Sequence, residues 1–146
     1  MEMKLDANRH PERPLAAERL FAWHASLFPA GRSGMRKIRT GAWRDDRNGP
    51  MQVFSGPVGR ERVHFEAPVA ARVDAEMARL LAWFEGPDEM DGVLRAALVH
   101  LWFVTVHPFE DGNGRIARAM ADLALARSEG SEQRFYSMSA QIRQER

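Results

Sequence analysis

The amino-acid sequence predicts an all-α, mainly helical single domain with one small β-hairpin. Three observations lead there. Apolar residues recur at helical spacing along most of the chain, only two short runs have the β-branched and aromatic character of strands, and 146 residues with 45% hydrophobic content suit one sizeable core. A second domain does not fit comfortably. The formal charge of +1 gives no electrostatic footprint for nucleic acid. With no cysteine, the chain has neither disulfides nor thiolate metal sites. Its first residues, Met1 to Asp6, lack the apolar region of a secretory signal, and no run approaches the roughly 18 apolar residues of a membrane span. These features predict a cytoplasmic protein without membrane contact.

Taken in order, residues 1–13 are polar and end at Pro11-Glu12-Arg13-Pro14, which reads as an irregular lead-in. Leu15 to Phe28 is a helix with Ala16, Leu20, Trp23 and Leu27 on one face, stopped by Pro29-Ala30-Gly31. Trp23 is expected in the core and His24 on the helix face. The basic stretch Arg32 to Arg47 reads as a solvated loop. Met51 to Phe54 and Arg62 to Phe65 form the hairpin, spanning about 51–66. Pro68 opens a helix whose core positions are Val69, Val73, Met77, Leu80, Leu81 and Phe84, with Trp83 at the rim, until Gly86-Pro87 ends it.

Val93 to Val106 is almost uniformly apolar, with Asp88 or Asp91 as its cap. This predicts the central helix, buried on most sides, against which the others pack. His100 within it reads as a satisfied core histidine. Arg115 to Arg127 has Ile116, Ala119, Met120 and Leu123 on one face. After a loop at Ser128 to Ser131, Phe135, Met138 and Ile142 mark a last helix. That helix lacks a stop signal at Arg146, which reads as a cut through a longer protein whose core here runs from about 14 to 146.

Between the two C-terminal helical stretches, residues 107–114 form a loop dense in chemistry. His107 stands at a helix end, because Pro108 biases the preceding residue away from helical geometry. An imidazole with an ordinary pKa near about 6.5 can take a proton from an attacking hydroxyl at neutral pH. Asp111 can hold Mg²⁺, which typically takes one or two protein carboxylates and completes its shell with phosphate oxygens and water. Gly112-Asn113-Gly114 opens the next helix, where unpaired N–H groups and the macrodipole favour phosphate. Arg115 and Arg118, three apart, share a face and can reach anionic oxygens there. Together these residues describe metal-assisted transfer from a polyphosphate.

The stretch resembles the signature of the Fic (filamentation induced by cAMP) family, H-x-F-x-[DE]-G-N-G-R-x-x-R. Every fixed position matches: His107, Phe109, Asp111, Gly112, Asn113, Gly114, Arg115 and Arg118. The resemblance implies a protein adenylyltransferase that moves AMP from ATP, with Mg²⁺, onto a Tyr, Thr or Ser hydroxyl of a protein target. It implies that His107 is the general base, Asp111 the Mg²⁺ ligand, and Gly112-Asn113-Gly114 the nest for the α- and β-phosphates. Arg115 then neutralises phosphate charge, Arg118 meets the γ-phosphate, and Phe109 points into the core. The hairpin corresponds to the family's flap, which holds the target by strand addition; Val63, His64 and Phe65 are the expected contact strand. Gly41-Ala42-Trp43-Arg44 looks like the Gly-x-aromatic-Arg segment often found before that flap.

Several alternatives stay open. Relatives of this kind also transfer UMP or phosphocholine, or remove AMP. A different class of reading makes the chain a non-catalytic, peptide-binding helical module, and another a metal-dependent hydrolase using His100, His107 and the carboxylates. The family's inhibitory pattern [ST]-x-x-x-E-[GN] is absent, since Ser128 to Gln133 has the Ser and Glu spacing but ends in Gln. Either control comes from a segment or antitoxin outside this chain, or the chain is uninhibited. Self-modification and a homodimer are also left open.

Overall fold

An alanine-rich helix, not the most apolar one, lies at the centre of the molecule. The computed structural model describes residues 2–87 and 90–129. In order, the elements are α1 (Glu2–Arg9), α2 (Ala17–Leu27), β1 (Arg32–Ser33), β2 (Arg36–Lys37), β3 (Gln52–Ser55), β4 (Arg62–Glu66), α3 (Ala70–Phe84), α4 (Gly92–Val106) and α5 (Asn113–Glu129). The mainly helical prediction holds. The expected cap at Asp88 and the expected last helix around Phe135, Met138 and Ile142 lie outside the described residues.

Helix α5 is buried on every side from Ile116 to Ala126 except at Arg118. Ala117, Ala119, Ala121, Ala124 and Ala126 allow neighbouring helices to approach its backbone closely, and Ile116, Met120 and Leu123 fill the spaces between them. Helix α4 was expected in that central place. Instead Val93 is 65% and Leu101 62% exposed, and Leu94 also faces outward, while Ala96, Val99, Phe103 and Val106 face the core. Hydropathy measures side-chain character; burial depends on how many neighbours an element has, and small residues permit more of them.

The N-terminal lead-in is helical rather than irregular. Met3 and Ala7, one turn apart, are buried as part of the core, which therefore begins well before residue 14. On the same helix, Asp6 accepts hydrogen bonds from Arg19 Nε and Trp23 Nε1, both at 2.8 Å, and so ties α1 to α2. A single apolar pair in a polar octet is too short to show periodicity. Val69, expected in the core, is exposed because it is the N-cap of α3 rather than part of its inner stripe. Ala16 likewise precedes α2 as its N-cap.

Helix ends are satisfied by identifiable groups. Asp91 caps α4, accepting from the Val93 and Leu94 N–H groups at 2.9 and 3.2 Å. Arg95, buried, donates to the carbonyls of Trp83 at 3.0 Å and Phe84 at 2.6 Å, closing the end of α3. The hairpin pairs β3 with β4 antiparallel, Val53 opposite Phe65 and Phe54 opposite Val63, with an irregularity between Val53 and Phe54. A second, shorter ribbon pairs β1 with β2 inside the stretch expected to be plain loop.

Gly92 starts α4 against Ser128 at the end of α5, so the two helices run antiparallel along their length. A Cβ on Gly92 would lie 2.1 Å from Ser128 Oγ and 2.4 Å from its Cβ. Gly92→Ala should therefore lower stability by about 1–3 kcal/mol despite alanine's better helix propensity. Urea unfolding measures this; an unchanged or raised midpoint would contradict the close packing.

Candidate active site

The connection from α4 to α5 is built on a backbone reversal at His107. Its φ of 51° and ψ of 58° are left-handed, making it the one non-glycine residue with positive φ among the described residues. Such a conformation costs about 1–2 kcal/mol for an ordinary residue. Its N–H still closes the last turn onto Phe103 O at 2.9 Å. Beyond Pro108, Phe109 is fully buried, stacked on His24 at 4.1 Å between ring centroids and flanked by Phe21, Trp43 and Phe103. Phe109 thus points into the core, as the family resemblance implied.

Asn113 holds the loop closed. Its Oδ1 accepts from the Phe109 N–H at 2.9 Å and its Nδ2 donates to Phe109 O at 2.8 Å. The residue is 3% exposed, so its amide serves the loop rather than a ligand. Gly112 has φ 81°, and a Cβ there would meet Phe28 Cε2 at 2.9 Å; no other residue fits without strain. The Gly112 N–H is already taken by Asp111 Oδ1 at 2.6 Å. At the first turn of α5 the ladder begins with Ile116 N–H to Gly112 O at 3.1 Å, so the N–H groups of Asn113, Gly114 and Arg115 have no carbonyl partner within the helix.

His107 Nδ1 lies 3.4 Å from Val104 O. A carbonyl only accepts, so the ring proton belongs on Nδ1 and the Nε2 lone pair is left to act as a base. Burial pushes the imidazole pKa below its ordinary value; the Val104 carbonyl opposes this, Arg44 reinforces it and Asp111 opposes it. His107 is consequently neutral at pH 7.

Asp111 is held ionised. The Ser33 hydroxyl donates to Oδ2 and is the main cause of a lowered pKa; burial works the other way, and Gly112 N–H, Arg115 and Arg36 add to the lowering. Arg115 is exposed, its guanidinium 4.9 Å above the Phe28 ring. Arg118 curls back along α5, its Nη1 standing 3.7 Å from where a Gly114 Cβ would be. Both arginines therefore attend the N-terminal end of α5. Val63, His64 and Phe65 lie on β4, all exposed; Val63 and Phe65 alternate with His64, which bonds Ser55 Oγ across the hairpin at 2.6 Å.

Sequence reasoning missed the residues that support this loop from outside it. His24, expected on a helix face, is fully buried: Gly41 N–H donates to its Nδ1 at 3.1 Å, so its Nε2–H donates to Asp111 O, also at 3.1 Å. Arg44, expected in a solvated loop, is 3% exposed and donates to the His107 and Val106 carbonyls. Ser33 and Arg39 come from the β1–β2 ribbon and its continuation, Arg39 N–H donating to Glu110 Oε2 at 3.1 Å. His100, expected to be satisfied, has a buried Nδ1 without a hydrogen-bond partner among the described residues. Among the described residues no group of three or more His, Cys, Asp or Glu is placed to hold a metal ion.

Burial is the main cause that depresses the pKa of His24, His100 and His107. The unfolded chain takes up protons at these sites near about pH 6.5 while the folded chain does not, so stability rises with pH through that region. The urea midpoint should therefore fall steadily as pH is lowered from about 7.5 to about 5.5. A flat profile over that range would contradict the buried neutral histidines.

Residues 14–125 match the profile of the Fic/DOC family. The protein adenylyltransferase fic-1 of Caenorhabditis briggsae is 44% identical over 64 residues, covering 42% of this chain and 13% of that protein. A uridine 5'-monophosphate transferase of Xanthomonas campestris pv. campestris (strain 8004) is 28% identical over 127 residues, covering 78% of this chain and 21% of that one. Among solved structures, a Fic-domain-containing signalling protein from Bacteroides thetaiotaomicron VPI-5482 superposes with a TM-score of 0.67 at 27% identity, over 86% of this chain and 44% of that chain. A Fic family protein from Desulfovibrio desulfuricans G20 gives 0.64 at 29% identity, over 85% and 35%. The chain thus spans less than half of each of these relatives. By the extent of the profile match and the helical core it shares with these structures, the chain belongs to the Fic/DOC family.

Proposed function

We propose that the chain is a protein adenylyltransferase that moves AMP from Mg²⁺-ATP to a Tyr, Thr or Ser hydroxyl of a protein target. The observation that carries this reading is a neutral histidine with a free Nε2 on the loop that leads directly into an arginine-flanked helix N-terminus. Nε2 takes the hydroxyl proton as the oxygen attacks the α-phosphorus. The bond to the bridging oxygen breaks and pyrophosphate leaves. Arg115 and Arg118 offset the charge that develops on the leaving group, and the N–H groups at the start of α5 hold phosphate oxygens.

Asp111 fits Mg²⁺. It is an ionised carboxylate beside the phosphate nest, and its Oδ2 partner is a serine hydroxyl that can rotate away from the oxygen it now meets. Bound there, the ion would neutralise phosphate charge and help the pyrophosphate leave. On this reading the exposed edge of β4, with Val63, His64 and Phe65, receives the target backbone by strand addition. The location is cytoplasmic, and inhibition comes from a segment or chain outside this one. No described helix is long and apolar enough to cross a membrane.

A second reading, UMP transfer, is favoured by the match to the uridine 5'-monophosphate transferase over most of the chain. Mass spectrometry of a lysate treated with the protein and either ATP or UTP separates the two by the added nucleotide. A peptide-binding module without catalysis predicts no heat when Mg²⁺-ATP is titrated in.

His107→Ala should reduce transfer by at least about 10²–10⁴-fold, the usual contribution of a positioned base. Mg²⁺-ATP affinity by calorimetry should stay nearly unchanged, because the base acts in the transition state. A normal rate in that variant removes His107 from the mechanism. In the wild-type protein the rate of transfer should rise with pH to a plateau, with its midpoint below the ordinary imidazole value. A midpoint above neutrality would mean that the imidazole is charged at rest.

A further inference from the structure

We propose that Arg44 is a positioning residue that locks the His107 backbone and the foot of the β3–β4 hairpin to each other, setting base and target hydroxyl in register. The inference rests on reading His107 as the base and the hairpin as the element that grips the target.

The need for such a group follows from the loop itself. At the end of α4 the Val106 and His107 carbonyls have no N–H further along the helix to accept from, and Pro108 has none to give. The left-handed turn at His107 must therefore be held from outside. Arg44 does this with its guanidinium and its own backbone: Nε donates to His107 O at 2.6 Å, Nη2 to Val106 O at 3.3 Å, and its N–H to Pro108 O at 2.8 Å. Three successive carbonyls on either side of the base answer to one residue.

The other contacts of the same guanidinium go to the segments that flank the hairpin. Nη2 also donates to Pro68 O, two residues beyond the end of β4, and Nη1 donates to Asp46 Oδ1 at 3.0 Å. Asp46 in turn accepts the Ala70 N–H at 2.7 Å, at the start of α3. Between them, Ala67 N–H closes the foot of the hairpin onto Met51 O at 2.9 Å. The path from the gripping strand to the catalytic loop thus passes through one buried planar cation. A lysine ammonium cannot copy it, since its donors radiate from a point instead of lying in a rigid fork.

The test uses Arg44→Lys and Arg44→Met in the full chain, with hydrogen exchange read by mass spectrometry alongside transfer kinetics. In both variants exchange should quicken together in residues 104–113 and 66–70, by at least about tenfold, while residues 116–126 of α5 are unaffected. The kcat for transfer should fall at least about a hundredfold, with Mg²⁺-ATP affinity held within about threefold, because misplacement of the base leaves nucleotide binding intact. Loosening of only one of the two segments, or a lysine variant that transfers normally, overturns the proposal. So does a nucleotide affinity that falls in step with kcat. If the methionine variant fails to fold, the lysine variant decides alone. Should the wild-type chain transfer no nucleotide, the functional reading fails, and the exchange arm still decides whether Arg44 couples the two segments.

Discussion

The whole site depends on how α4 is made to stop and α5 to start within a few residues. Phe109 is the fixed point. Buried among His24, Phe21, Trp43 and Phe103, it anchors the middle of the loop in the core, and Asn113 clips both of its backbone polar groups. With that anchor set, His107 on one side must adopt a left-handed turn, and Gly112 on the other must come up against Phe28. His107, Asp111 and Gly114 keep partial exposure and Arg115 is exposed, so an imidazole, a carboxylate and one edge of the helix start stay accessible.

Around this anchor the fold is arranged in shells. Helix α5 fills the centre because its alanines let α4 and α1 pack closely on it. Helix α2 contributes His24, which stacks on Phe109 and also donates to the Asp111 carbonyl, so packing and loop geometry are set by one ring. The basic stretch between α2 and the hairpin wraps the outside, delivering Ser33 to Asp111 and Arg44 to the His107 carbonyl. A loop that must hold strain without secondary structure of its own is stabilised by such external hydrogen bonds.

What could be read in the sequence follows the range of the physical signal. Helices α2, α3 and α5 are long enough for periodicity to show, and the hairpin stands out by composition. The motif residues are contiguous, so their placement at one helix mouth follows from local rules. Helix α1 was hidden because two buried residues in eight make no stripe. His24 and Arg44 were misplaced for another reason: each is polar and far in sequence from its partners, 87 residues from Asp111 and 63 from His107 respectively. No local pattern encodes such contacts. The resemblance of Gly41-Ala42-Trp43-Arg44 to a family segment locates Arg44 without giving its role, and its basic surroundings point to solvent.

The central claim is that His107 and the start of α5 act on the same bound triphosphate, one activating the hydroxyl and the other holding the phosphates. The most direct measurement incubates the protein and a target lysate with ATP labelled at the α-phosphate, in parallel with ATP labelled at the γ-phosphate. The account predicts that label becomes covalently attached to protein from the α-position only, and that γ-label leaves with pyrophosphate. Attachment of γ-label to protein would instead show phosphorylation and contradict it.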